Sequence, residues 1–223
     1  MRLGLLVLFA ASAFAQAKPD AAEILAKVKD TLKDIKSYDL DLEITVRDST
    51  TGLEQSSGVR VASAIEPERY RVVYSGDDAS GPEGTMIYDG SIFTVYLPVR
   101  NEYRTDAIVP DKLGRDAKPS KVNSDTGIGQ YVKLVERFAS SHLLREESIS
   151  NGGGAPADCY LIEKETGGKM WIDKSNYHIL RAEEIDPDGT SSVAVIGLKL
   201  NEPLSDDLFK FVPPPGARNL GKP

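Results

Sequence analysis

Between Tyr38 and Val46 the chain reads Tyr-Asp-Leu-Asp-Leu-Glu-Ile-Thr-Val, with apolar and polar residues alternating without a break. A period of two sends successive side chains to opposite faces of a strand, so this run has one dry face and one wet face. Similar runs recur at Val59–Ala62, Tyr70–Tyr74, Thr85–Tyr88, Ile92–Tyr96 and Asn101–Asp106. Further on come Asp158–Lys164, Lys169–Asp173, His178–Asp186, Ser191–Leu200 and Leu208–Val212. Turn residues separate them, notably Asp48–Gly52, Glu66-Pro67-Glu68, Asp89-Gly90, Gly167-Gly168 and Asp186-Pro187-Asp188-Gly189. Connections this short join antiparallel neighbours. The expectation is a meander of about eleven strands.

Two stretches keep a helical period instead. In Ala21–Ile35, residues Ile24, Leu25, Val28, Leu32 and Ile35 share one face, with Lys27, Lys29, Asp30, Lys33 and Asp34 elsewhere. Pro19 and Asp20 stand where a helix start tolerates proline and favours a carboxylate. A second helix is expected over Ile128–Phe138, capped by Asp125 or Thr126, with Ile128, Tyr131, Val132, Val135 and Phe138 as its apolar stripe. Both helices need an apolar partner, and the concave side of a curved sheet provides one. The polar stretch Thr105–Gly127 before the second helix is long for a connection within a domain, and such loops often act as lids.

Residues 1–17 read as a leader and not as part of the fold. Arg2 supplies a positive charge, Leu3–Ala13 is apolar but too short to span a bilayer, and Ala13-Phe14-Ala15 and Ala15-Gln16-Ala17 offer small-x-small cleavage patterns. No cysteine stands near either cut to carry a lipid anchor. A secreted, periplasmic product is expected, with residues 18–223 forming one domain. Removing Arg2 with the leader takes the net charge from −7 to −8. An acidic chain is poorly suited to nucleic acid or to an anionic membrane surface. Cys159 is the only cysteine, which excludes an intrachain disulfide, and beside Tyr160 and Leu161 it reads as a small buried hydrophobe.

No constellation for catalysis, metal or cofactor binding is legible. Asp186-Pro187-Asp188-Gly189 lacks the later ligands of a calcium loop and reads as a turn. Gly152-Gly153-Gly154 and Gly127-Ile128-Gly129 lack the Lys and Ser/Thr of a phosphate loop. His142 and His178 are far apart and have no local partners of triad spacing.

The order of these elements resembles the LolA/LolB superfamily of periplasmic lipoprotein carriers. The likeness runs through Ser37-Tyr38-x-Leu40-x-Leu42, Glu66-Pro67-Glu68-Arg69-Tyr70-Arg71 and Tyr88-Asp89-Gly90-Ser91-Ile92-Phe93. It continues in Trp171-Ile172-Asp173, in Glu184-Ile185-Asp186-Pro187-Asp188-Gly189 and in the closing Phe209-Lys210-Phe211-Val212-Pro213-Pro214. The resemblance implies a mainly-β fold, a half-open antiparallel β-barrel with helices over its concave face. It also implies a carrier or binding protein, not an enzyme, for a lipid or lipidated protein, working with inner- and outer-membrane transfer partners. Tyr70, Tyr74, Phe93, Tyr96 and Trp171 either line the cavity or fill the core, and Ile128, Val132 and Val135 belong to a lid helix. One departure stands out: the family's carriers place a lid-holding arginine before the proline of the second turn, where this chain has Glu66. The alternative within the same fold is a periplasmic sensor of the RseB type, which binds a protein partner.

Overall fold

The computed structural model of the protein describes residues 18–76, 82–107, 128–150, 155–186 and 189–221. The expected leader, nearly all of the expected lid loop, the Asp125 or Thr126 cap, Gly127 and Gly152–Gly154 lie outside the described residues. Helix α1 (Ala21–Thr31) leads into six strands: β1 (Ser37–Asp48), β2 (Glu54–Ala64), β3 (Arg69–Ser75), β4 (Pro82–Tyr88), β5 (Ile92–Leu97) and β6 (Glu102–Ala107). Helix α2 (Ile128–Arg137) is followed by β7 (Ser141–Ile149), β8 (Ala157–Lys164), β9 (Lys169–Asp173), β10 (Ile179–Asp186), β11 (Gly189–Leu200) and the two-residue β12 (Arg218–Asn219).

All twelve strands join one sheet in the order β12-β6-β5-β4-β3-β2-β1-β11-β10-β9-β8-β7. It consists of two antiparallel meanders, β1 to β6 and β7 to β11, fused where β1 pairs with β11. Among the described residues only β12 pairs in parallel, against β6. The sheet does not close on itself, and with its two helices it is the half-open barrel that the sequence pattern anticipates. No helix among the described residues is long and apolar enough to cross a membrane.

Both helices bury their apolar stripes on one face of this sheet. Ile24, Val28, Val135 and Phe138 are fully buried there with Tyr38, Leu40, Ile162, Met170, Ile172 and Ile179. Asp20 starts α1 by accepting a hydrogen bond from the Glu23 amide at 2.7 Å. The helix stops at Thr31, short of the expected Ile35. Asp34 has φ 57°, a left-handed conformation that ends any helical run, although Leu32 and Ile35 still pack against the core. In the β4–β5 connection Gly90 has φ 103°, which disfavours any side chain, while the Asp89 carboxylate accepts from the Ser91 and Ile92 amides at 2.8 and 2.7 Å.

Two expectations about strands are corrected. β7 was not read from the sequence, because Arg145-Glu146-Glu147 interrupts its alternation and its register with β8 shifts between Leu143 and Arg145. Leu208–Val212 is not a strand. Asp206–Phe209 forms a 3-10 turn capped by Ser205, and the segment lies on the outer face of β3–β6. There Arg69 pairs with Asp206 at 2.6 Å and lies 4.8 Å over the buried Phe209 ring, while Phe211 packs on Tyr96 and Tyr103. Asn101 then donates to the Pro215 carbonyl.

A register shift sets the phase of β11. Leu40 faces Leu198 and Asp41 faces Gly197, but Leu42 faces Val195, so Ile196 is an extra residue. Val193 and Val195 therefore point to the same face as Leu198 and Leu200, which strict alternation forbids. Deleting Ile196 leaves Val193, Val195, Leu198 and Leu200 in strict alternation on that face, so it is expected to remove the bulge while keeping all four inward and to leave stability nearly unchanged. Urea unfolding checks this, and a drop of the roughly 1.5–3 kcal/mol that exposing one such side chain costs would refute it.

Candidate functional site: an apolar cavity under the second helix

The inward residues of the central strands form cross-strand rows. Leu40, Val61 and Val72 stand side by side on β1, β2 and β3, and Leu42, Val59 and Tyr74 form the next row. On the other side Leu42 meets Val195, Ile44 meets Val193, and Val193 meets Ala182 of β10. These aliphatic rows enclose a cavity of ≈ 330 Å³ together with Tyr131, Leu134 and Arg137 of α2. Among the described residues, apart from the two tyrosine hydroxyls, only Arg137, Glu184 and Ser191 bring polar side chains to the wall. The Tyr131 hydroxyl is occupied, accepting from the Ile179 amide at 2.5 Å, and burial pushes its pKa up.

The cavity opens where Tyr74 is about a third exposed, and Val46, one inward position beyond Ile44, is half exposed. Its charged groups lie together. Arg137, on the last turn of α2, meets Glu184 through Nε and Nη2 at 3.1 and 2.9 Å. Lys164, at the end of β8, donates to the same carboxylate at 2.9 Å and sits 4.7 Å over the Phe138 ring. Burial works against the Glu184 charge, but the hydrogen bond from Lys164 and the nearby Arg137 outweigh it and hold its pKa below the usual range. The end of α2 is thereby tied to β10.

The eight residues singled out from the sequence divide between the two faces. Tyr74 lines the cavity. Tyr70 is buried in the core behind it, with its ring 5.5 Å from Tyr88 and 6.4 Å from Phe93. Val135 is fully buried and Ile128 packs against the same core, while Val132 is half-buried and not part of the cavity wall. Tyr96 and Trp171 are on the outer face. Tyr96 packs on Phe211, and Trp171 clusters with Cys159 and Leu161 and donates from Nε1 to Glu147 at 2.6 Å. Burial pushes the Cys159 thiol up to about 11. Arg69 and Arg71, the arginines after Pro67, hold the C-terminal segment on the outer face.

Most of the wall was missed in the sequence: Leu40, Leu42, Ile44, Val59, Val61, Val72, Leu134, Arg137 and Glu184. The signal was present. Leu40, Leu42 and Ile44 are the dry face of the first alternating strand, and Glu184 is a carboxylate in phase with Ala182 on a dry face. Among the described residues no group of three or more His, Cys, Asp or Glu side chains is placed to hold a metal ion.

Fold and site together define a half-barrel with an apolar cavity under its second helix. Residues 21–115 match the family model described as "Predicted periplasmic protein (DUF2092)". The chain is 27% identical over 207 residues to an uncharacterized protein of Methanocaldococcus jannaschii, covering 89% of this chain but 53% of that one, so it spans about half the length of this relative. Among solved structures it is similar to a LolA superfamily protein from Nitrosomonas europaea, at 17% identity and TM-score 0.36, covering 87% of this chain and 99% of that one. It is also similar to the lipoprotein LppX of Mycobacterium tuberculosis, at 16% identity and TM-score 0.43, covering 82% and 98%.

The lowered pKa of Glu184 means that the folded chain favours the charged carboxylate more than the unfolded chain does. That contribution to stability is full above the ordinary glutamate range and is lost as pH falls through the lowered folded value. Glu184→Gln is expected to be less stable than wild type at about pH 7, with the gap closing towards about pH 3. Urea titrations of both proteins across this range check it; a gap that widens on acidification would contradict the assignment.

Proposed function

We propose that this chain is a periplasmic carrier or binding protein that holds an acyl chain of a lipid or lipidated protein in the half-barrel cavity. The observation that carries this reading is the ≈ 330 Å³ cavity with its aliphatic rows. Apolar surface left open to water is unfavourable, and each methylene that moves from water into such a wall gains about 0.8 kcal/mol. Reversible carriage follows without any bond being made or broken. The small-x-small pattern before Lys18 and the description of the matching family model support the periplasm as its place of work.

In this reading Tyr74 and the β1–β3 rows contact the chain, and Tyr131 and Leu134 cover it. Tyr70, Phe93, Ile128 and Val135 back the wall from the core. Tyr96 and Trp171, on the outer face, take no part.

Calorimetry with a series of straight-chain amphiphiles tests the proposal. Affinity is expected to rise by about 0.8 kcal/mol per methylene and then level off once the cavity is full. Val193→Trp fills part of the cavity from a half-buried strand position that tolerates an aromatic residue. It is expected to weaken binding by about tenfold or more and to shorten the chain length at which affinity levels off. Wild type that binds none of the series, or a folded Val193→Trp variant that binds as wild type does, would sink the proposal.

A further inference from the structure

We propose that the cargo is an amphiphile with a single alkyl chain and an anionic head, a carboxylate or a phosphate, and that Arg137 is the residue that reads the head. This rests on the reading of the cavity as an acyl site and adds its chemical selectivity. Among the described residues the cavity wall contains two charged side chains, Arg137 and Glu184, and they meet each other at 2.9 Å. An isolated arginine–glutamate pair is neutral and has no preference for the charge of a head group. Here Lys164 shares the same carboxylate at 2.9 Å, so two cations stand against one anion.

The surplus charge belongs to Arg137. Lys164 is 19% exposed and held between the Glu184 carboxylate and the Phe138 ring. Arg137 is 48% exposed and lines the cavity. Glu184 engages its Nε and Nη2, whereas a guanidinium carries five N–H donors in a planar fork suited to a second oxyanion. The C-terminal end of α2 contributes about half a negative charge, which reduces the surplus without cancelling it.

The net charge of −7 disfavours an anionic membrane surface, but it does not oppose one anion held at contact distance. Screening confines charge effects to about 8 Å at physiological salt, so the nearest groups decide the local preference. The cavity volume of ≈ 330 Å³ stands at the lower end of the roughly 300–1,000 Å³ usual for ligand sites, which favours one chain over two. The head then rests beside Arg137 at the rim, with the chain running inward between α2 and β1–β3.

The test compares four probes of equal chain length binding to the full chain by calorimetry: an alkyl carboxylate, an alkyl phosphate, an alkyl alcohol and an alkyl amine. The carboxylate and phosphate are expected to bind about three- to tenfold more tightly than the alcohol, and the amine most weakly. The tighter of the two anions identifies the head. Arg137→Gln, checked for folding by circular dichroism, is expected to abolish the preference, so that the anions bind no more tightly than the alcohol does to the same variant. Arg137→Lys is expected to keep part of the preference, and Glu184→Gln to enlarge it. Equal binding of anion and alcohol by wild type, or a preference that survives Arg137→Gln, overturns the head assignment while leaving the acyl site standing. Acetate or inorganic phosphate binding as tightly as the alkyl anions reduces the site to an ion site and overturns it too. If none of the four probes binds, the acyl site fails as well.

Discussion

Among the described residues, two helices of eleven and ten residues cover only part of the inner face of a twelve-stranded sheet. Strands spaced about 4.8 Å apart give the sheet a width of about 50 Å, whereas each helix is only about 10 Å across and about 16 Å long. The rest of the structure follows from this mismatch. The sheet curls to bring its apolar rows onto α1 and α2, and a gap remains between them. The uncovered remainder is the cavity beneath Tyr131 and Leu134, walled by β1, β2, β3, β10 and β11. Among the described residues, the cavity is the space that α1 and α2 leave unfilled against the sheet.

The ionic cluster at the rim follows from the same geometry. α2 runs from Ile128, packed against the core, to Arg137, where the inner face meets solvent. A charge at that end is tolerable only with partners, and Glu184 and Lys164 are the inward residues at the ends of β10 and β8. Buried ion pairs often contribute little net stability, because desolvation cancels their attraction. This trio is only partly buried, so its larger effect is to fix where the end of α2 sits. The arginines near Pro67 have a different task, since Arg69 and Arg71 hold the C-terminal segment against the outer face. The end of α2 is held to β10 by Arg137 itself.

Where alternation was regular the sequence was readable. Tyr38–Val46, Tyr70–Tyr74 and Ile92–Tyr96 lie inside observed strands, α1 begins after the Asp20 expected to start it, and Ile128–Arg137 is helical as its apolar period requires. Reading failed where the period breaks. β7 went unseen because three charged residues sit in its middle. The aromatic residues after Ser205 suggested a strand, but they pack on an outer face already flanked by paired strands, and Pro213–Pro215 have no amide hydrogens to offer a neighbour. At the site, attention to large aromatics picked out Tyr96 and Trp171, which face outward. Size says nothing about side; strand phase does, and phase is reset by extra residues such as Ile196 that no local pattern marks. Arg137 and Glu184 meet across 47 positions of sequence, a pairing that only the fold creates.

The charges that hid β7 from view also protect the molecule. A sheet that stays open ends in a strand with unpaired amides and carbonyls, a template for the strand of any neighbouring chain. β7 is that terminal strand, and it carries Arg145, Glu146 and Glu147 at its centre, with Lys174 reaching Glu146 at 2.6 Å. A second copy laid parallel against it in register would bring like charges together and strip them of water. The register shift at Leu143–Arg145 also spoils the straight row of hydrogen-bonding groups that such stacking requires. At this edge the half-barrel can thus remain unclosed without inviting growth of the sheet into a fibre.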